Sequence, residues 1–168
     1  MTKVRNRERA LKRLSAIQGA PRQAIRDALK QGAEEVTAMQ KRLAPHKNGD
    51  LQNSIGYTFG SYRPENSNVR GMTASSGGGD PDLTVTIHAG DAKAFYAAFV
   101  EFGTSAHEIK PKRPGGLLNV YGRLLTTVSH PGATPQPFFF PGWRATRKRV
   151  KSRISRATTK SVRKAAGR

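Results

Sequence analysis

Histidine and carboxylate side chains are the groups in this sequence that could catalyse a reaction or bind a metal ion. The four histidines are widely spaced along the chain, at His46, His88, His107 and His130. A metal site would therefore require them to converge from separate loops and strands. The chain has no cysteine, which excludes disulfides, thiolate metal sites and cysteine nucleophiles. The sequence thus predicts no enzymatic activity, no bound metal and no cofactor.

Basic residues dominate the charge of the chain and concentrate at its two ends. Thirty Lys and Arg residues outnumber eleven Asp and Glu residues, which gives a formal net charge of +19. Residues 1–30 carry +7 (nine basic, two acidic), residues 31–143 carry +1 (ten basic, nine acidic), and residues 144–168 carry +11 with no acidic residue. Like charges at this density call for a counter-charge, which nucleic-acid phosphates, an anionic membrane or an acidic protein surface could supply. A purely solubilising role is the alternative.

We predict that the basic residues of both ends contact DNA or an acidic protein surface. The candidates are Arg5, Arg7, Arg9, Arg147, Lys148, Arg149, Lys151, Arg153, Arg156, Lys160, Arg163, Lys164 and Arg168. The sequence contains no helix-turn-helix spacing, and a zinc finger is impossible without cysteine. Any contact with nucleic acid would therefore be made to the backbone and would not depend on base sequence.

The helical elements expected to carry these charges follow from hydrophobic spacing. Residues 1–18 predict a short basic helix or a disordered arm, which Gly19 breaks. A second helix is predicted from about residue 21 to residue 43, with Pro21 in its first turn, where the missing N–H costs nothing. Pro45 follows the end of this helix.

The middle of the chain alternates between short elements and loops. Asp50 is predicted to N-cap a single helical turn, and a strand is predicted from Ile55 to Phe59. Residues 60–82 are rich in Gly, Ser, Asn and Pro, which predicts a mobile loop that becomes ordered when it docks on a neighbour. Alternating apolar residues predict a further strand at 83–89.

A short aromatic helix is predicted after this strand. Phe95, Phe99 and Phe102 follow helical spacing, and Gly103 stands where a glycine would end the helix. We expect the three rings to lie in the core. The full set of expected core side chains around these motifs is Leu51, Ile55, Phe95, Phe99 and Phe102.

The last third of the sequence predicts a hairpin and a basic helix. The segments 117–120 and 124–128 flank a Tyr-Gly-Arg turn, and the helix begins after Pro141 with Trp143, Val150, Ile154 and Ala157 on one face. The predicted fold class is α+β, an antiparallel sheet with a long N-terminal helix, a short central helix and a basic C-terminal helix. The predicted units are a basic N-terminal arm or helix (1–20), a core (21–157) and a basic C-terminal tail (158–168).

Three segments together carry a resemblance, residues 44–55 (APHKNGDLQNSI), 95–104 (FYAAFVEFGT) and 135–141 (PQPFFFP). In this order and spacing they resemble one family, the small head–tail connector, neck or tail-completion proteins of tailed bacteriophages. The family is labelled by the tenth gene product of a lambdoid phage. The residues that match the family's motifs are Gly49, Leu51, Ser54, Ile55, Tyr96, Val100, Phe102, Gly103, Thr104, Pro137 and Phe138. The departures are Asn48, Gln52 and Gly142, where the family tends to have Thr or Ser, a basic residue, and Ala.

The resemblance implies a virion protein that is assembled in the host cytoplasm and located at the head–tail neck. It implies a homo-oligomeric ring of six subunits, with twelve as the alternative, that contacts neighbouring neck and tail proteins and leaves a lumen for DNA, without any membrane. Glu101 is expected either to form a salt bridge within the fold or to meet a basic residue of a neighbour. The candidate interface residues are Glu101, Arg63, Asp80 and Asp82. A free, sequence-nonspecific nucleic-acid-binding protein is the alternative function.

Overall fold

The computed structural model describes residues 7–64 and 79–166. Its helices are α1 (Arg7–Leu43), α2 (Asp50–Ser54), α3 (Ala97–Phe102) and α4 (Phe139–Ala165). Its strands are β1 (Gly56–Phe59), β2 (Val85–His88), β3 (His107–Ile109), β4 (Leu118–Val120), β5 (Arg123–Leu125) and β6 (Val128–His130). The α+β class is confirmed, with a long N-terminal helix and a long C-terminal helix packed on it. None of the described helices is long and apolar enough to cross a membrane.

Helix α1 is longer than the sequence predicts. It runs without interruption from Arg7 to Leu43, so the break predicted at Gly19 is wrong. Pro21 lies inside the helix, where it removes one backbone hydrogen bond and crowds one carbonyl. The turns of α1 after Pro21 are held by tertiary packing, since Ala28 and Val36 are buried. Such packing outweighs the low helix propensity of Gly19 and Pro21. The predicted end of the helix near residue 43 is confirmed.

Two glycines allow α1 and α4 to pack closely as an antiparallel pair. A Cβ atom on Gly32 would lie 2.7 Å from Val150 Cγ1, and one on Gly142 would lie 2.6 Å from Gln40 Cγ and 3.2 Å from Gln40 Cα. Gln40 is buried and donates a hydrogen bond from Nε2 to the carbonyl of Phe139, at 3.0 Å. The close approach gives a physical reason for Gly142, because an alanine there would push the helices apart.

The strands form three separate two-stranded antiparallel sheets, β1–β2, β3–β6 and β4–β5, where the sequence predicts one sheet. Each strand has only three or four residues and pairs with one other strand. The β1–β2 sheet lies against α1, where the guanidinium of Arg26 stacks over the ring of Phe59, 4.7 Å from its centroid. The hairpin predicted around Tyr121 is confirmed, but its second strand is shorter than predicted, since residues 128–130 pair with β3 instead.

The hydrophobic core lies at the end of the helix pair where α1 ends and α4 begins. It consists of Ala44, Leu51, Ile55, Ala94, Ala97 and Phe138. The predicted burial of Leu51 and Ile55 is confirmed. The predicted burial of Phe95, Phe99 and Phe102 is wrong, because these side chains are 47%, 41% and 67% exposed. The predicted helix includes Phe95, but α3 begins only at Ala97, and the residues of this segment that are buried are Ala94, Ala97 and Glu101.

A glycine stands at the start of α2, and another stands at the end of α3. Gly49, with φ 80°, occupies the N-cap of α2, so the prediction that Asp50 caps this turn is wrong, and Asp50 is its first helical residue. Gly103, with φ 71°, ends α3 as predicted. Helix α4 begins at Phe139, two residues before Pro141. The mobile loop predicted at 60–82 falls mostly outside the described residues, and its last part is a 3-10 turn at Pro81–Leu83.

Candidate assembly and DNA-contact surfaces

Glu101 caps the start of helix α4 in its own chain. Its side chain is buried, and its carboxylate accepts hydrogen bonds from the backbone N–H groups of Phe138 (2.7 Å), Phe139 (2.8 Å) and Phe140 (3.1 Å). These are the free donors of the first turn of α4, where a negative charge is also favoured by the helix dipole. The expected basic partner is thus replaced by backbone amides. The signal in the sequence is a helix start with no Ser, Thr, Asp or Asn to cap it.

An open groove of about 310 Å³ lies beside this cap, between β2, α3 and the start of α4. The aromatic side chains on its walls include Phe95, Phe102, Phe138, Phe139 and Phe140. Phe102 and Phe140 pack on each other, with ring centroids 6.0 Å apart, yet both remain exposed to solvent. We call the exposed rings of Phe95, Phe99, Phe102 and Phe140 the aromatic patch. Exposed apolar surface of this kind on a soluble protein marks sites of protein contact.

His88 forms part of the groove wall, where burial disfavours its charged form. It stacks on Tyr62, with parallel rings 3.7 Å apart, and its Nε2 lies 3.3 Å from Thr58 Oγ1. Burial lowers the pKa of His88 below its usual value, because the charged imidazolium is poorly solvated there. The groove therefore gains no positive charge from this histidine at neutral pH.

Asp80 and Asp82 are tied to α1 by ion pairs. Arg22 contacts Asp80 at 2.5 Å and Asp82 at 3.2 Å, and Arg26 also pairs with Asp82. The hydrogen bond from Arg22 lowers the pKa of Asp82 and raises the pKa of Arg22. All four side chains are at least one-third exposed, so each pair adds little stability. Of the candidate interface residues, Arg63 is exposed at the surface.

The antiparallel arrangement of α1 and α4 brings the two basic ends of the sequence to the same end of the molecule. We call residues 7–30 of α1 and residues 151–165 of α4 the basic end. The α1 part has seven basic and two acidic residues, the α4 part has six basic residues and no acidic one, and together they carry +11. Charge that is separated by more than a hundred residues in sequence is thereby concentrated in space.

Two of the candidate DNA-contact residues share one acidic partner within the chain. Arg149 and Arg153 both pair with Glu35 of α1, the latter at 2.7 Å. Burial acts to raise the pKa of Glu35, but Arg153 and Arg149 together lower it below its usual value. These two arginines therefore join the helices as well as adding charge.

The remaining candidates on α4 are exposed. They are Arg147, Lys148, Lys151, Arg156, Lys160, Arg163 and Lys164. Arg7 is exposed at the start of α1. The structure does not describe the side chain of Arg9, and Arg5 and Arg168 lie outside the described residues. Within residues 7–64 and 79–166, no acidic side chain forms an ion pair with the seven on α4.

Metal ligation finds no support in the described part of the chain, where no group of three His, Asp or Glu side chains could hold an ion. His107 and His130 do face each other across β3 and β6, with ring centroids 5.1 Å apart. Two histidines without a third ligand are short of the usual set of a structural or catalytic metal site.

Comparison with known proteins gives a match to a protein family. The family is described as "Bacteriophage HK97-gp10, putative tail-component", and its model matches residues 8–103, which are 96 of the 168 residues. The matched range contains α2, the β1–β2 sheet, the whole of α3 and all of α1 except its first residue. Comparison with curated proteins finds no match, and comparison with solved structures finds none either.

Proposed function

Because the chain belongs to the HK97-gp10-like family of bacteriophage tail components, we propose that it forms a ring at the head–tail neck of the virion, around the channel through which DNA passes. Its role there is mechanical, as a connector, tail-completion or tail-terminator protein, and involves no catalysis. The ring has six subunits, with twelve as the alternative order. Neighbouring neck and tail proteins contact its two faces. Residues 60–82 act as a docking segment toward them.

The aromatic patch supports assembly. Phe99 and Phe102 of α3 and Phe95, in the turn just before it, are exposed in the isolated subunit. Leaving three phenylalanine rings in water is unfavourable, and their burial on a neighbour would recover about 25 cal/mol for each Å² of apolar surface. The segment that presents them, residues 31–143, carries a net charge of only +1, so copies can approach each other there without strong repulsion.

The single observation that carries the DNA-channel proposal is the concentration of charge at the basic end. After the ion pairs of this end with Asp80, Asp82 and Glu35 are counted, eight of the eleven net positive charges remain, and they repel each other unless a polyanion is close. Duplex DNA presents one phosphate charge for about every 1.7 Å of its axis, with no need for base-specific contacts. The basic ends therefore face the lumen in the proposed ring.

Two measurements on the purified protein test this function. Negative-stain electron microscopy should show closed rings with a central hole. Binding to duplex DNA should weaken steeply with salt, and the triple variant Lys160→Gln, Arg163→Gln and Lys164→Gln should lower the log–log slope by about 2–3 units, near 0.9 for each phosphate that is no longer neutralised.

A matched control separates local contact from overall charge. The triple variant Lys47→Gln, Lys93→Gln and Lys112→Gln removes the same three charges from exposed positions outside the basic end, and should leave the slope nearly unchanged. Equal reductions of the slope in both variants would contradict a DNA-facing basic end. Weak DNA binding throughout, with release of a neighbouring virion protein by the first variant, would indicate an acidic protein partner. DNA binding by small oligomers that never form rings would favour the free nucleic-acid-binding protein.

A further inference from the structure

Residues 104–133 form a projecting arm that ends in an exposed aromatic residue. The arm is a single long hairpin, in which Thr104 pairs with Ala133, β3 pairs with β6 and β4 pairs with β5. Its tip is the two-residue turn Tyr121-Gly122. Tyr121 is fully exposed, and so in part are Leu117, just before β4, and Leu124 and Leu125 of β5, at 53%, 63% and 39%. The family match ends at residue 103, so it assigns nothing to this arm.

The backbone of the arm is held in a defined shape at its base and at its tip. Gly103 and Gly132 close the base, where a Cβ atom on either residue would lie within 2.5 Å of a carbonyl oxygen of the opposite strand. At the tip, Asn119 Oδ1 accepts a hydrogen bond from the N–H of Gly122 at 2.9 Å. Tyr121 has φ 49°, in the left-handed region that a bulky side chain rarely adopts. Strained backbone held at a fixed, fully exposed tyrosine is typical of a residue that makes a contact outside its own subunit.

The groove beside α3 has the properties of a receptor for this tip. It is lined by aromatic rings, it is open, and its volume of about 310 Å³ can accept an aromatic side chain. Its acidic member, Glu101, is already satisfied by backbone amides, and His88 is neutral. The Tyr121 of the same chain does not fill it, because that side chain touches solvent on all sides.

We propose that the arm tip of each subunit, with Tyr121 as its anchor, docks into the aromatic groove of the next copy of this chain. The proposal rests on the proposed ring and adds the surfaces that close it. A ring needs two different, complementary patches on each subunit, one at the head and one at the tail of the contact. The tip and the groove are such a pair. Charge also fits, since residues 117–125 carry a single cation, Arg123, and the residues that line the groove include Glu101 but no Lys or Arg.

Thiol cross-linking tests this pairing directly, because the natural chain has no cysteine. A mixture of two full-length single variants, Tyr121→Cys and Phe102→Cys, treated with a short thiol-specific cross-linker, should give mainly the mixed dimer. The double variant should give a ladder that ends at the ring size. As a control, Val162→Cys at the basic end, also partly exposed, should not cross-link to Phe102→Cys.

Assembly strength gives a second readout. Tyr121→Ser should weaken ring formation, measured by mass photometry across a concentration series, by about 30-fold or more, the effect typical of an interface anchor. Val162→Ser should leave it unchanged, and circular dichroism should show both variants folded. Rings that form normally in Tyr121→Ser, or release of a different virion protein with the ring intact, would overturn the inference while the ring proposal stands. A wild-type chain that stays monomeric at every concentration would overturn both.

Discussion

The two ends of the α1–α4 pair differ in the kind of side-chain interaction that they make. At one end, the core around Phe138 and the cap at Glu101 join α2, α3 and α4 through buried packing and specific hydrogen bonds. At the basic end, most of the basic side chains that the structure describes are exposed and form no ion pair within residues 7–64 and 79–166. The first end depends on a few irreplaceable contacts, while the second acts through the sum of many similar charges. Single substitutions should therefore affect the two ends very differently.

The largest effect is expected from Phe138→Ala. Phe138 is 1% exposed, so removal of its ring leaves a cavity and should lower the free energy of unfolding by about 3–5 kcal/mol. Phe102→Ala removes an identical ring that is 67% exposed and should cost about 0.5 kcal/mol or less in the isolated subunit. Urea unfolding of both variants measures the difference. Similar destabilisation by both would show that the aromatic patch belongs to the core.

A smaller destabilisation is expected from Glu101→Ala. The substitution leaves the amides of Phe138, Phe139 and Phe140 without their acceptor, and should cost about 3 kcal/mol in the free energy of unfolding. Glu108→Ala on the arm, where the carboxylate is exposed, is the control and should cost about 0.5 kcal/mol or less. Thermal unfolding distinguishes the two. A mild effect of Glu101→Ala would mean that water replaces the cap.

Between the two ends, Glu35 should make the helix pair sensitive to acid. Its pKa is lowered in the folded state, so the unfolded state takes up the proton first as pH falls below about 4.5. The stability from Glu35 is thus fully present above that pH and disappears as pH falls through the folded-state pKa. Glu35→Gln should cost about 1–2 kcal/mol at neutral pH and flatten the acid dependence of thermal unfolding. Glu34→Gln, at the neighbouring exposed position, is the control and should preserve it.

The smallest effect, with the opposite sign, is expected at the basic end. The triple variant Lys160→Gln, Arg163→Gln and Lys164→Gln should raise the stability of the isolated chain at low salt by a few tenths of a kcal/mol, because it relieves repulsion between exposed charges. The gain should vanish at high salt, where such charges are screened. Differential scanning calorimetry at two salt concentrations checks this. A clear decrease in stability would show that these side chains hold the fold.

Periodicity in the sequence was enough to locate the elements but not always to orient them. Local properties of the sequence predict three of these elements. The alternation of apolar and polar residues predicts the strand at Val85–His88, and glycine positions predict the turn at Tyr121 and the end of α3 at Gly103. The face of α3 that is buried is not local. The large rings of Phe99 and Phe102 are exposed, yet the small residues Ala94 and Ala97 pack on the core, because they allow the helix to approach closely. In the proposed ring, a neighbouring subunit would cover the large rings.

The sequence by itself determined the α+β class, the family, and the partition of charge into two basic ends and a nearly neutral middle, because composition, spacing and motifs are properties of the chain. Only the tertiary structure decided that both basic ends lie together, since that follows from the antiparallel packing of α1 on α4 through Gly32 and Gly142. Folding likewise decided the role of Glu101. A carboxylate caps a helix 37 residues away only when long-range packing brings the two together, and no local pattern encodes that meeting.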